Sequence, residues 1–202
     1  LVGGEGLFRS DRDRDNFLSE APRVPAMDVN LGKGGADYGH FLGELYDLGA
    51  IEVCADPQEI CGLFFVPRKD GRLRLIWDTR RSNAHFEPPP FTALPSGEAL
   101  AALEIDDAIA GQRIVAPSAD VEVCFYQYEL PSNLRPFFAL TAVDLRLLPQ
   151  HVRDQVSHLA VKGHVHFQSR VVPMGWAWAV HLVQQAHMVL LRGVRPSDSW
   201  VL

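Results

Sequence analysis

The stretch GLFFVPRKDGRLRLIWDTRRSN, residues 62–83, constrains the fold of this chain more than any other. Two runs rich in apolar and branched residues flank Asp70-Gly71, a dipeptide suited to a tight turn, and together they predict a β-hairpin. Strand alternation places Arg72 and Arg74 on one face and Leu73 and Leu75 on the other. Arg68 and Lys69 stand just before the turn, so positive charge gathers at the tip. Two guanidiniums on one strand face can grip phosphate oxygens bidentately. An edge strand blunted by positive charge is the plainer reading, and on this segment alone it stands.

The charge distribution makes the tip more notable. The formal net charge of −6 weighs against general nucleic-acid binding. Residues 1–60 carry 5 Lys/Arg against 12 Asp/Glu, and residues 93–160 carry 4 against 9. Residues 61–92 reverse this with 6 against 3, and residues 161–202 do so with 4 against 1. A local basic patch matters more for phosphate binding than the total. At 47% hydrophobic, the 202 residues can bury a sizeable core. Three cysteines (Cys54, Cys61, Cys124) form no disulfide framework, and no signal peptide or membrane-spanning run is evident, which together favour an intracellular setting. The chain begins at Leu1 rather than Met and stops without a helix stop signal, so both ends are expected to be cuts through a longer protein.

Along the chain, residues 1–37 are Gly- and Asp-rich and are expected to be a poorly ordered lead-in to a domain over residues 38–202. DYGHFLGELYDLGAIEV spaces Phe41, Leu42, Leu45, Leu48 and Ile51 at helical intervals. FEPPPFTALPS cannot be regular structure, because its prolines remove donors and fix φ. SGEALAALEI predicts a short helix with Ser96 as N-cap. GHVHFQSRVVPMGW predicts a strand pair and a turn, and AWAVHLVQQAHMVLLRG a helix closing near Gly193. Strands and helices mix without strict alternation, which favours an α+β fold over a doubly wound one.

Two further stretches are candidates for chemistry. In SADVEVCFYQYELP, residues 118–131, Asp120 stands at the mouth of an apolar run in which Val121, Val123 and Phe125 alternate as in a strand. A helix cap or surface ion pair is the plain reading of Asp120, and a metal ligand the sharper one. In VVPMGWAWAV, Pro173 and Gly175 mark a bend before an apolar helix, and glycine there lets backbone approach a planar ligand closely. Trp176 and Trp178 suit either base stacking or core packing. His164, His166, His181 and His187 lack metal-ligand spacing, and hydrogen-bonded structural histidines fit better. Cys54 and Cys61 read as ordinary buried thiols.

Taken in order, the three stretches resemble the reverse transcriptases. FFVPRKDGRLRLIWDTRRSN resembles the fingers motif, with Arg74, Asp78, Arg80 and Asn83 at matching places. ADVEVCFY is similar to the first palm motif, and VVPMGWAWAVHLVQ to the loop and helix under the templating base pair, with Gln184 at a recurrent glutamine. The wording is nearest to divergent reverse-transcriptase-like reading frames of retroelements in protist genomes. The resemblance spans residues 38–192 and implies an incomplete right-hand polymerase fold, fingers plus partial palm.

The resemblance also implies roles. Asp120 and the carbonyl of Val121 would bind two Mg²⁺ ions, with Asp120 the catalytic carboxylate. Arg74, helped by Arg68 or Lys69, would neutralise the triphosphate of an incoming deoxynucleotide. Phe125 would gate the sugar against a 2′-hydroxyl, with Tyr126 packed beneath, while Met174 and Gly175 would line the nucleotide pocket. Met174 stands where glutamine is more familiar. The implied partners are an RNA or DNA template-primer, deoxynucleoside triphosphates and the downstream palm and thumb of the same polyprotein. The pattern departs in one respect: after Asp154 the sole acid is Asp198, so the family's second palm motif, Tyr-x-Asp-Asp or a close variant, is expected just past residue 202. The 202-residue chain alone is therefore expected to be inactive.

Overall fold

The structure, a computed structural model, describes residues 6–32, 35–94, 96–101 and 120–193. In chain order the elements are α1 (Asp11–Glu20), α2 (Ala36–Asp47), β1 (Ile51–Cys54), β2 (Ile60–Pro67), β3 (Leu73–Asp78), α3 (Arg80–Asn83), α4 (Gly97–Ala101), β4 (Ala139–Leu140), β5 (Val143–Asp144), α5 (Gln150–Val156), β6 (His164–Ser169) and α6 (Ala179–Gly193). The expected β-hairpin is β2–β3, in register Phe65↔Leu75, Val66↔Arg74 and Pro67↔Leu73. Gly71 takes φ +80°, and Arg68 N–H donates to the Arg72 carbonyl at 2.8 Å to close the turn.

The strands form one mixed sheet in the order β1-β6-β4-β2-β3, with β5 also paired to β6. All pairings are antiparallel except β2 with β4. Elements of both kinds mix without βαβ alternation, as expected for an α+β fold. The core joins α2 (Tyr38, Leu42), the sheet (Leu63, Leu140, Phe167) and α5 (Val152, Val156) around Phe138. Fully burying a side chain such as Phe138 contributes roughly 1.5–3 kcal/mol.

Three segments differ from the sequence expectation, each for a local physical reason. Within residues 1–37, α1 forms with Ser10 as N-cap, its hydroxyl accepting from the Asp13 N–H. Helix α1 buries nothing itself, but the flanking Leu7 and Leu31 are buried and Phe8 bridges to Phe86. Residues 6–32 thus form a strap, held by apolar anchors on both sides of a polar helix. It ends on the hairpin root, where Ala26 N–H donates to Asp78 Oδ2 at 2.6 Å and Asp28 N–H to the Leu63 carbonyl at 2.7 Å.

Helix α2 stops at Asp47, before the predicted helical positions Leu48 and Ile51; Leu48 is exposed and Ile51 begins β1. The alternation Val121, Val123, Phe125 is not a strand. Residues 122–123 turn, Val123 takes the left-handed φ +46°, and Cys124–Gln127 follows as a 3₁₀ helix. The expected strand pair over GHVHFQSRVV is β6 plus a single bridge from Val171 to Glu129. Helix α4 follows Ser96 as expected, while the rest of SGEALAALEI, from residue 102, lies outside the described residues.

Candidate nucleic-acid interface

The hairpin root is assembled from residues far apart in sequence. Asp78 ends β3 buried and accepts from Arg80 Nε at 2.8 Å and Nη2 at 2.7 Å, a bidentate pair. The Arg80 hydrogen bonds hold the Asp78 carboxyl below the usual carboxylate range against the opposing effect of burial. Asn83 donates through Nδ2 to the Gly175 carbonyl at 3.2 Å and accepts from the Ala177 N–H at 3.0 Å through Oδ1. Trp77 N–H donates to the Met174 carbonyl at 2.9 Å. Together these bonds clamp the Pro-Met-Gly-Trp turn to the end of β3.

Gly175 is required at that clamp for two reasons. Its φ of +135° suits glycine, and a Cβ there would collide with the Trp77 carbonyl oxygen. The close approach inferred from sequence is thus to the chain's own backbone, while Gly175 remains exposed. Just before β2, Glu59 is buried between Arg81, whose Nε donates at 2.8 Å, and His85 Nε2 at 3.3 Å. Burial pushes the Glu59 carboxyl up, but the hydrogen bonds from His85 and Arg81 outweigh it and hold it down at about 2.

The hairpin tip is open. Arg68, Lys69 and Arg74 all line one cleft of about 400 Å³, together with Val66, Pro67 and Asp70. Asp70 draws Arg68 to 3.5 Å and Arg72 to 2.9 Å. Lys69 and Arg74 have no ion pair among the described residues, which leaves two exposed cations at the cleft for an anionic ligand. A second cleft of about 410 Å³ lies at the root, lined by Ala26, Phe64, Asp78, Arg80, Asn83 and Gly175 among others.

The turn that carries Asp120 crosses β3. Glu122 Oε1 lies 3.2 Å from Arg72 Nη1, and the Tyr126 hydroxyl donates to the Leu75 carbonyl at 2.8 Å. Burial pushes the Tyr126 phenol up to about 12, partly opposed by the charge of Arg74. Phe125 is half-buried against the main core. Asp120 and Val121 are exposed at the start of this turn. Two distant segments therefore meet one strand: the 122–126 turn, through Glu122 at Arg72 beside its start and Tyr126 at Leu75, and Met174-Gly175 at Trp77. Of the residues singled out by sequence, the structure brings Arg68, Lys69 and Arg74 to one cleft and Gly175 to the other. Asp120 forms no hydrogen bond or ion pair with the described residues.

Other sequence candidates resolve as structural groups. Trp176 and Trp178 are core residues, the latter donating from Nε1 to the Glu87 carbonyl at 2.6 Å. His166 Nδ1 lies 2.8 Å from the Leu140 carbonyl and His181 Nδ1 2.8 Å from Thr92 Oγ1. Cys54 and Cys61 are buried free thiols, with Cys61 Sγ 3.1 Å from Ser82 Oγ. Among the described residues no cluster of three or more His, Cys, Asp or Glu side chains is placed to hold a metal ion. The clamp role of Asn83 was not evident from sequence, which carried only its place in the motif; its partners lie more than 90 residues away.

No family model matches the chain, and no curated protein matches it in sequence. Solved structures do resemble it. One is the foamy viral protease-reverse transcriptase dRH in complex with double-stranded DNA, at 14% identity and TM-score 0.50 over 85% of this chain and 25% of that one. Another is the protease-reverse transcriptase of Prototype Foamy Virus, a CSH mutant, at 15% identity and TM-score 0.48 over 79% of this chain and 18% of that one. The first carries the comparison: the fold is reverse-transcriptase-like, and the chain spans a quarter of the length of that structure. No helix among the described residues is long and apolar enough to cross a membrane.

Proposed function

We propose that the chain is the fingers and part of the palm of an RNA-directed DNA polymerase of retroelement type. In full-length form such an enzyme adds deoxynucleotides to a primer by in-line phosphoryl transfer. The observation that carries this reading is the convergence on β3: the cationic tip, the Asp120–Tyr126 turn and the Pro-Met-Gly-Trp turn meet one strand. Chemistry of this kind depends on positioning and charge neutralisation more than on covalent catalysis. A rigid strand that presents cations beside a carboxylate-bearing turn suits it.

Within this reading Arg74 and Lys69 bind the triphosphate of an incoming deoxynucleotide, assisted by Arg68, and Phe125 limits the sugar pocket. Met174 and Gly175 face the base pair, and the template-primer, RNA or DNA, runs past the root cleft. Asp120 and the Val121 carbonyl offer hard oxygen donors of the type Mg²⁺ takes, though one carboxylate is fewer anionic groups than two such ions call for. Bound there, Mg²⁺ would activate the primer 3′-hydroxyl and neutralise the departing pyrophosphate.

A non-catalytic retroelement remnant that binds nucleic acid or a protein partner is the competing reading. It is favoured by one sequence observation: Asp198 is the sole acid after Asp154, so no aromatic-x-Asp-Asp accompanies Asp120 within these 202 residues. Primer extension separates the two. The 202-residue chain should bind a primer–template but not extend it, whereas a version continued through downstream coding sequence should extend it and lose that activity in Asp120→Asn. Absence of primer–template binding by either chain would refute the proposal.

A further inference from the structure

Cys124 and His187 form a pair that the polymerase reading does not use. Cys124 opens the 3₁₀ turn after Asp120, and His187 lies on α6. Their Sγ and Nε2 atoms are 3.8 Å apart, and both residues are partly exposed. A tetrahedral zinc holds a thiolate at about 2.3 Å and an imidazole nitrogen at about 2.0–2.1 Å, which places the two donors roughly 3.6 Å from each other. The observed separation meets that bite with a shift of a few tenths of an ångström. The Tyr128 ring, its centroid 6.2 Å from that of His187, lies tilted beside the imidazole.

A thiol–imidazole hydrogen bond also accounts for the distance, but it does not call for an accessible pair. The chain's other two thiols, Cys54 and Cys61, are buried. The pair joins two separate elements at a solvent-facing seam, the arrangement in which a cation links elements that otherwise touch lightly.

We propose that Cys124 and His187 bind a thiophilic divalent cation of the Zn²⁺ class, which staples the 3₁₀ turn to α6. Coordination replaces the S–H bond with an S–metal bond and releases one proton to solvent. Water takes the remaining positions. The bound cation fixes the backbone just downstream of Asp120, and this holds whether or not the chain is a polymerase fragment.

The test uses the full 202-residue chain with Co²⁺ as a spectroscopic stand-in for Zn²⁺. A sulfur-to-cobalt charge-transfer band should saturate at one equivalent and be displaced by Zn²⁺. It should vanish in Cys124→Ser, and His187→Gln should bind at least about tenfold more weakly. Zn²⁺ should also protect Cys124 from alkylation in the unaltered chain, as mapped by mass spectrometry, a readout that needs no variant to fold. A missing band, unchanged affinity in a His187→Gln variant whose circular dichroism matches the parent, or Zn²⁺ that leaves Cys124 alkylation unchanged would overturn the proposal.

Discussion

At the root of the β2–β3 hairpin Asp78, Thr79 and Ser82 are buried, and Gly62 passes so close to Ala26 that a Cβ would overlap its carbonyl. At the tip of the same hairpin Lys69, Arg72, Leu73 and Arg74 are all exposed. The root is held by bonds from the strap, Asn83 and the Pro-Met-Gly-Trp turn, and the tip by the β2–β3 ladder, its turn and the contacts of Glu122 and Tyr126. The difference separates two requirements within one element: the root fixes where the strand lies, and the tip offers charge to whatever arrives.

If that contrast is right, substitutions should sort by end. The largest effect is expected from Gly62→Ala, whose added methyl must displace the strap from β2. It should destabilise the chain by about 3 kcal/mol, read as a lower urea midpoint. Glu59→Gln should cost up to roughly 3 kcal/mol at neutral pH, because it removes a carboxylate held well below its ordinary value. A depressed carboxyl contributes stability that is complete above its unfolded value of about 4.5 and is lost as pH falls toward 2. The gap between parent and variant should therefore narrow on acidification from about pH 5 to about pH 2. A gap that does not change with pH would break the electrostatic account of the root.

The tip should behave in the opposite way. Arg74→Ala and Lys69→Ala should leave the urea midpoint within about 0.5 kcal/mol of the parent, as exposed substitutions do. Each should nevertheless weaken nucleotide or primer–template binding by about tenfold, through loss of a charge-assisted phosphate contact. A large stability loss at either position would erase the distinction. The smallest effect is expected where the Asp120-bearing turn leans on the tip. Val123 is a β-branched residue at φ +46° and exposed, so Val123→Gly should stabilise by up to about 1 kcal/mol, measured by thermal unfolding.

The hairpin itself was legible in the sequence because alternation and Asp70-Gly71 are local signals that agree. Helix α6 was legible from its own local pattern, as was the lack of regular structure around Pro88, Pro89 and Pro90. The strap was not legible, because its polar helix hides the few anchors, Leu7, Phe8 and Leu31, that order it from either side. The Val121–Phe125 alternation misled because three apolar positions cannot reveal a single left-handed residue at Val123. Trp176 and Trp178 could not be assigned between stacking and burial until the partners of the turn were known. At the candidate site, the residue types were readable, but the clamp by Asn83 was not, since it joins positions separated by 92 residues.

That separation bears on how the protein is made. At about 5–20 residues per second, synthesis delivers Asn83 on the order of 5–20 s before Gly175, the residue it must hold. For that interval the nascent hairpin is a two-stranded ribbon of the kind that is marginal on its own. Its cationic tip emerges at the ribosome, amid RNA, before the strand that will aim it has been locked in place.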